Sequence, residues 1–185
     1  MILMEHIVRE GHPALRKRAE EVTFPLSEVD KKLGEDLIEY VQNSQDAELC
    51  EQYGLRPGIG LAAPQVDQAK RIFALHLIDT DHETISFIAI NPKIVSHSVE
   101  RTYLTVGEGC LSVDRDVEGY VPRYARVTIK AYDLAGKEFK KRLKGLAAIA
   151  FQHELDHLNG VMFFDHIDKK MPYKEIPGAI PFERE

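Results

Sequence analysis

The stretch GLAAIAFQHELDHLNG (145–160) narrows the architectures open to this chain more than any other. Leu146, Ile149, Ala150 and His153 recur at helical spacing on one face, and Gly160 is a natural stop. His153 and His157 are one helical turn apart, so both imidazoles can reach a single ion. Glu154, beside the first of them, can hold a water as general base, which is the mechanical content of the H-E-x-x-H pattern. The competing reading is a helix whose histidines are satisfied core residues, and this pattern alone does not exclude it.

The remaining chain predicts what that helix packs against. FPLSEVDKKLGEDLIEYVQNSQDAELCEQYG reads as one long helix, N-capped by Ser27, with Leu33, Leu37, Ile38 and Val41 on its apolar face and its end before Gly54. Pro13 fits the first turn of a short helix. LRPGIGLAAPQ, with Pro57, Gly58, Gly60 and Pro64, is a shaped loop rather than a regular element. RIFALHLI, TISFIAINPKIV, SVERTYLTV, ARVTIKAYDL and KEFKKRLKG read as strands punctuated by DTDH, NP and LAG turn signals. The last two form a hairpin. The tail from about 171 holds Pro172, Pro177 and Pro181 and is expected to run extended, not helical. The expectation is one α+β domain over 1–185, mostly antiparallel strands with the second helix packed on a sheet.

Net charge bears on the partners. At -6 it weakens the case for nucleic acid as direct substrate. Lys137, Lys140, Lys141, Arg142 and Lys144 form one basic stretch, whose ordinary reading is a solvated strand edge. Cys50 and Cys110 are too few for a disulfide framework, which fits a reducing compartment. No apolar run reaches the length of a membrane span, and MILMEHIVREGHP lacks a signal peptide's apolar core. A soluble cytoplasmic protein is expected, with no membrane partner and a monomer as the default.

A catalytic metal needs three protein ligands and one open position. In one common metallopeptidase layout the third ligand is a histidine six residues after the second; Phe163 stands there. Another layout uses a downstream glutamate on a helix, and Glu175 lies in the Pro-flanked tail. His166 follows the helix stop and reads better as a surface or supporting residue. The stronger candidate is Cys110 in GEGCLS, since a thiolate suits a borderline or soft divalent ion. Gly107 and Gly109 around it suggest a bulge or a close backbone approach, against the alternative of an inert buried thiol. Cys50 reads as packing near a helix end.

Three segments, GIGLAAPQ (58–65), EGCLS (108–112) and QHELDHLNG (152–160), together resemble the peptide deformylases, supported by HPALRKRA near the start. The insertions before RPGIGLAAPQ and around VDRDVEGYVPR, with the non-helical tail, resemble the subgroup typical of Gram-positive bacteria. The resemblance implies a fold of mostly antiparallel strands around a central metal-binding helix. It implies hydrolytic removal of the N-formyl group from the initiating methionine of nascent polypeptides, releasing formate, with a metal-bound water as nucleophile. Cys110, His153 and His157 become the metal ligands and Glu154 the general base. Gln65 and the Leu111 N–H would meet the formyl oxygen. Gly58, Gly60, Glu108 and Gly109 would hold the substrate backbone, and Leu146, Ile149 and Ala150 would line the methionine pocket. The resemblance further implies one divalent ion per chain, Fe2+ in the cell with Zn2+, Ni2+ or Co2+ able to substitute, N-formylmethionyl peptides as partners, and a transient ribosome contact.

Two other readings remain at this point. A different peptidase or amidase on the same helix would leave EGCLS unexplained. A structural metal module would need a fourth protein ligand such as His166 or Cys50.

Overall fold

The structure, a computed structural model, describes residues 1–184. Pro13–Arg16 form a single 3-10 turn where a short helix was expected. Helix α1 (Glu28–Gln45) begins at Ser27, whose Oγ accepts the Asp30 N–H at 3.1 Å. The expected long helix is in fact two, because the chain breaks at Asp46 and resumes as α2 (Ala47–Tyr53). The Asp46 carboxylate accepts the Leu49 N–H at 2.9 Å, so a side chain that competes with helical backbone caps a second helix instead of continuing the first. Gly54, at φ 60°, ends α2 in the left-handed conformation.

The strands follow in chain order: β1 (Gly60–Ala62), β2 (Ile72–Ile78), β3 (Thr84–His97), β4 (Arg101–Leu104), β5 (Arg123–Tyr124), β6 (Arg126–Tyr132) and β7 (Glu138–Lys144). Helix α3 (Gly145–Leu158) comes next, and β8 (Ala179–Phe182) closes the order. A five-stranded antiparallel sheet has the order β1-β2-β3-β6-β7. The β6–β7 hairpin pairs Tyr132 with Glu138 around the LAG turn. Asn91–Pro92, a turn signal in the sequence, lies inside β3 and makes an irregularity in its pairing with β6. Asn91 takes φ 49° there, and its side chain both accepts from the Val22 N–H at 2.8 Å and donates to the Val22 carbonyl at 2.9 Å. The bulge is thus anchored rather than ending the strand.

Strand β2 is buried on both faces, which explains its unbroken apolar run. Phe73, Leu75 and Leu77 pack with Ala147, Phe151 and Leu158 of α3. Ile72 and Ala74 pack with Leu37, Tyr40 and Val41 of α1. Phe73 and Phe151 meet edge to face at 5.1 Å between ring centres, a favoured aromatic geometry. The sheet therefore sits between two helices, with α3 as the inner one.

A smaller sheet has the order β5-β4-β8, in which β8 runs parallel to β4. The proline-rich tail is not helical, but it is extended only in β8. It first turns at 172–173 and 177–178, with the Lys174 N–H donating to the Met171 carbonyl and the Ala179 N–H to the Ile176 carbonyl. The β8 backbone is tied down by the Thr102 hydroxyl donating to the Ile180 carbonyl at 2.7 Å. Among the described residues no helix is long and apolar enough to cross a membrane.

Candidate active site

Helix α3 carries His153, Glu154 and His157 beneath a cleft of about 1070 Å³. The turn after β4 brings Cys110 to the same place. One ligand atom from each of Cys110, His153 and His157 lies within 4.8 Å of the others, and the Cys110 sulfur is 3.3 Å from His157 Nε2. Bonds of about 2.0–2.3 Å to a tetrahedral ion would separate ligand atoms by roughly 3.5 Å. The donor set and its spacing fit one divalent cation. Among the described residues no other histidine, cysteine or carboxylate joins this cluster.

The other ligand candidates are occupied elsewhere. His166 Nε2 lies 2.8 Å from Asp156 Oδ2, Glu175 is exposed, and the Cys50 thiol donates to the Leu55 carbonyl at the end of α2. Phe163 stacks on the His153 ring at 5.9 Å, so an aromatic wall stands where the metallopeptidase layout would place a third histidine. Among the described residues a closed structural site therefore lacks its fourth ligand.

His153 is oriented from behind. Its Nδ1 lies 2.9 Å from Glu108 Oε1, which leaves Nε2 for the cluster. Glu108 also receives two bonds from Arg123, Nε to Oε2 at 2.9 Å and Nη2 to Oε1 at 2.8 Å. Arg123 continues to Asp156 Oδ2 at 2.6 Å. Burial pushes the Glu108 carboxyl up, but the Arg123 charge and the bonds from His153 and Arg123 prevail and hold it at about 2. Burial disfavours imidazolium at both histidines. At His157 it prevails and pushes the pKa well down, whereas at His153 the hydrogen bonds to Cys110 and Glu108 outweigh it and push the pKa well up.

Glu154 is buried, and its Oε2 has no hydrogen-bond partner among the described residues. That burial pushes its carboxyl up to about 7. It sits hard against β1: a Cβ on Gly60 would fall 2.6 Å from Glu154 Oε1, so only glycine allows this approach. A Cβ on Gly58 would lie 3.0 Å from Leu111 Cδ1, whereas one on Gly109 would meet nothing within 4 Å. Gln65, in the 3-10 turn after β1, accepts the Ala62 N–H through Oε1 at 2.9 Å. This fixes the amide so that Nε2 faces Ser112 Oγ at 3.1 Å and the Cys110 sulfur at 3.5 Å.

The cleft is lined by Gly58, Gly60, Gln65, Glu108, Gly109, Cys110, Leu111, Leu146, Ile149, Ala150, His153 and Glu154. His157 lies buried beneath it. Glu108 differs from expectation in one respect. Its carboxylate is committed to Arg123 and His153, so it supports the ligand cluster from behind. Sequence reasoning missed Arg123, Asp156, Ser112 and Phe182. A lone arginine in YVPRYARV carries no local mark of burial, and only the adjacency of Asp156 to His157 hinted at its place.

Residues 4–172 match the family described as polypeptide deformylase. The chain is 59% identical over 184 residues to Peptide deformylase 2 of Bacillus anthracis, covering 100% of both. It is 58% identical over 172 residues to Peptide deformylase of Listeria monocytogenes, covering 93% of this chain and 94% of that one. Among solved structures, peptide deformylase from Thermotoga maritima superposes with a TM-score of 0.67 at 36% identity, covering 88% of this chain and 96% of that chain. The Met-Ala-Ser-bound enzyme from Acinetobacter baumannii does so with a TM-score of 0.68 at 28% identity, covering 87% and 96%.

Proposed function

The chain belongs to the polypeptide deformylase family, in the Gram-positive type of its Bacillus relatives, and from that membership we infer the role of each residue in its cleft. The reaction is hydrolytic removal of the formyl group from the N-terminal methionine of new polypeptides, releasing formate. The observation that carries the reading is the Cys110–His153–His157 cluster, open on the cleft side next to a buried glutamate.

Cys110, His153 and His157 would hold one divalent ion. When bound, that ion supplies Lewis acidity, lowering the pKa of water and polarising the formyl carbonyl. Glu154 takes the proton of the attacking water. Burial raises the affinity of this carboxyl for a proton, which suits it to take one up and pass it on. The same proton passes to the leaving amine, so formate and a free N-terminus result. Gln65 Nε2, aimed by the Ala62 N–H, and the Leu111 N–H donate to the oxygen on which negative charge develops. Gly109, where a Cβ would meet nothing within 4 Å, leaves the cleft wall bare for the substrate backbone to lie as an added strand. Gly58 and Gly60 hold that backbone from positions whose missing side chains make room for Leu111 and Glu154. Leu146, Ile149 and Ala150 receive the methionine side chain, an unbranched thioether suited to an irregular apolar pocket.

The ion in the cell is Fe2+, as the family resemblance implies, with Zn2+, Ni2+ or Co2+ able to substitute. The protein works as a cytoplasmic monomer that meets its substrate at the ribosome. The exposed cationic strand β7, with Lys140 and Arg142 outward, is the face offered to that transient contact. Cosedimentation with ribosomes, unchanged by Lys140→Glu/Arg142→Glu, would remove β7 from this role.

The deciding experiment is anaerobic purification, quantification of iron and zinc, and formate release from formyl-Met-Ala-Ser with acetyl-Met-Ala-Ser as control. Formate release without acetate, at one metal per chain, is expected. A metal-loaded protein inert on the formyl peptide would overturn the reading.

A further inference from the structure

We propose that the C-terminal strand β8 forms a wall of the pocket that takes the substrate's first side chain, and that Phe182 limits how large that side chain can be. The proposal rests on the deformylase reading above and deepens it. Phe182 pairs in register with Leu104, and its carbonyl accepts the Thr105 N–H at 3.1 Å, so the tail is held where it passes the cleft. Along β8, Ile180 and Pro181 are exposed while Phe182 is half-buried. Its ring abuts the start of α3. A Cβ on Gly145 would fall 2.9 Å from Phe182 Cε2, and Gly145 has φ 57°, a conformation that favours glycine. The next residue on α3 is Leu146. Leu104, Leu146, Ile149 and Phe182 all border the same cleft.

The ring is therefore a rigid plate between the backbone of α3 and the apolar end of the cleft. A phenyl group has few rotamers and yields little to an oversized ligand. Removing it leaves space that the neighbouring elements fill only in part. A longer or bulkier first side chain would gain that space, while methionine would lose a contact.

The test measures formate release from formyl-X-Ala-Ser peptides, X being Met or Phe, by wild type, Phe182→Ala and Phe182→Leu. Binding of the deformylated Met-Ala-Ser and Phe-Ala-Ser peptides to the same proteins is followed by calorimetry. The Met-to-Phe ratio of kcat/KM should fall about tenfold in Phe182→Ala and less in Phe182→Leu, and the binding ratio should move the same way. Unchanged ratios in both variants, in proteins whose thermal midpoints show them folded, would overturn the proposal. Should Phe182→Ala prove unfolded, an unchanged ratio in Phe182→Leu overturns it alone. A wild type inert on every formyl peptide would instead overturn the deformylase reading, and the product-binding ratios would still decide the pocket wall.

Discussion

Replacing Arg123 with methionine should damage both the fold and the metal site, although Arg123 is not one of the metal ligands. Arg123 is 3% exposed and lies between Glu108 and Asp156. It is the main reason the buried Glu108 carboxyl stays ionised at about 2 instead of its ordinary 4.5. That depression corresponds to roughly 3 kcal/mol of folding stability at neutral pH. The folded pKa is lowered, so this contribution is complete above the unfolded value near 4.5 and is lost as pH falls through about 2. Arg123→Met leaves two carboxylates without their cation, and breaking such a pair costs about 3–5 kcal/mol. The assay is urea unfolding of metal-free, reduced protein from pH 7 down to pH 3, with Glu108→Gln and the double variant completing a cycle. The double variant should lose less than the sum of the singles. In loaded protein, His153 would lose its fixed acceptor, and metal affinity by chelator competition should fall about 10–100-fold. An Arg123→Met protein within about 0.5 kcal/mol of wild type at pH 7, or strict additivity in the cycle, would refute the reasoning.

Other substitutions separate the roles. Glu154→Ala should keep the metal and lower kcat at least about a hundredfold, because the ligands survive and the base does not; near-normal turnover would remove it from proton transfer. Cys110→Ala should weaken metal binding and activity together, and undiminished metal content after dialysis would take it out of the ligand set. Gln65→Ala should cost roughly 3 kcal/mol in kcat/KM without releasing metal, and an unchanged rate would end its role at the formyl oxygen. Gly60→Ala places a methyl 2.6 Å from Glu154 Oε1, so the base must move. Turnover should drop while metal content holds, and a wild-type rate would mean the carboxylate is free to relocate.

The features legible in the chain are those encoded over a few residues. His153 and His157 share a face because of the helical turn, and Glu154 follows as their neighbour. Glycines around Cys110 marked a loop that borders the cleft. GIGLAAPQ, expected to be a loop and no regular element, instead holds strand β1 (Gly60–Ala62), because its backbone pairs with β2, a partner that local turn signals do not reveal. Strand alternation and the LAG turn specified the β6–β7 hairpin. Local reading failed where two local hydrogen bonds competed and where a side chain's partner lay far away. Asp46 ended α1 by capping α2, a choice between two local hydrogen bonds that periodicity cannot rank. Arg123 is an ordinary surface residue until its partners are known, since burying a guanidinium is tolerable only when it is paired. Those partners stand 15 and 33 positions away in the chain. Phe182 belongs to a tail that local signals describe only as extended. Its place at the cleft follows from parallel pairing with β4, a register set by chain closure over long separation and not by the residues beside it. The chemistry was thus written in short motifs, while the support that orients His153 and the wall that bounds the pocket came from contacts formed only in the folded chain.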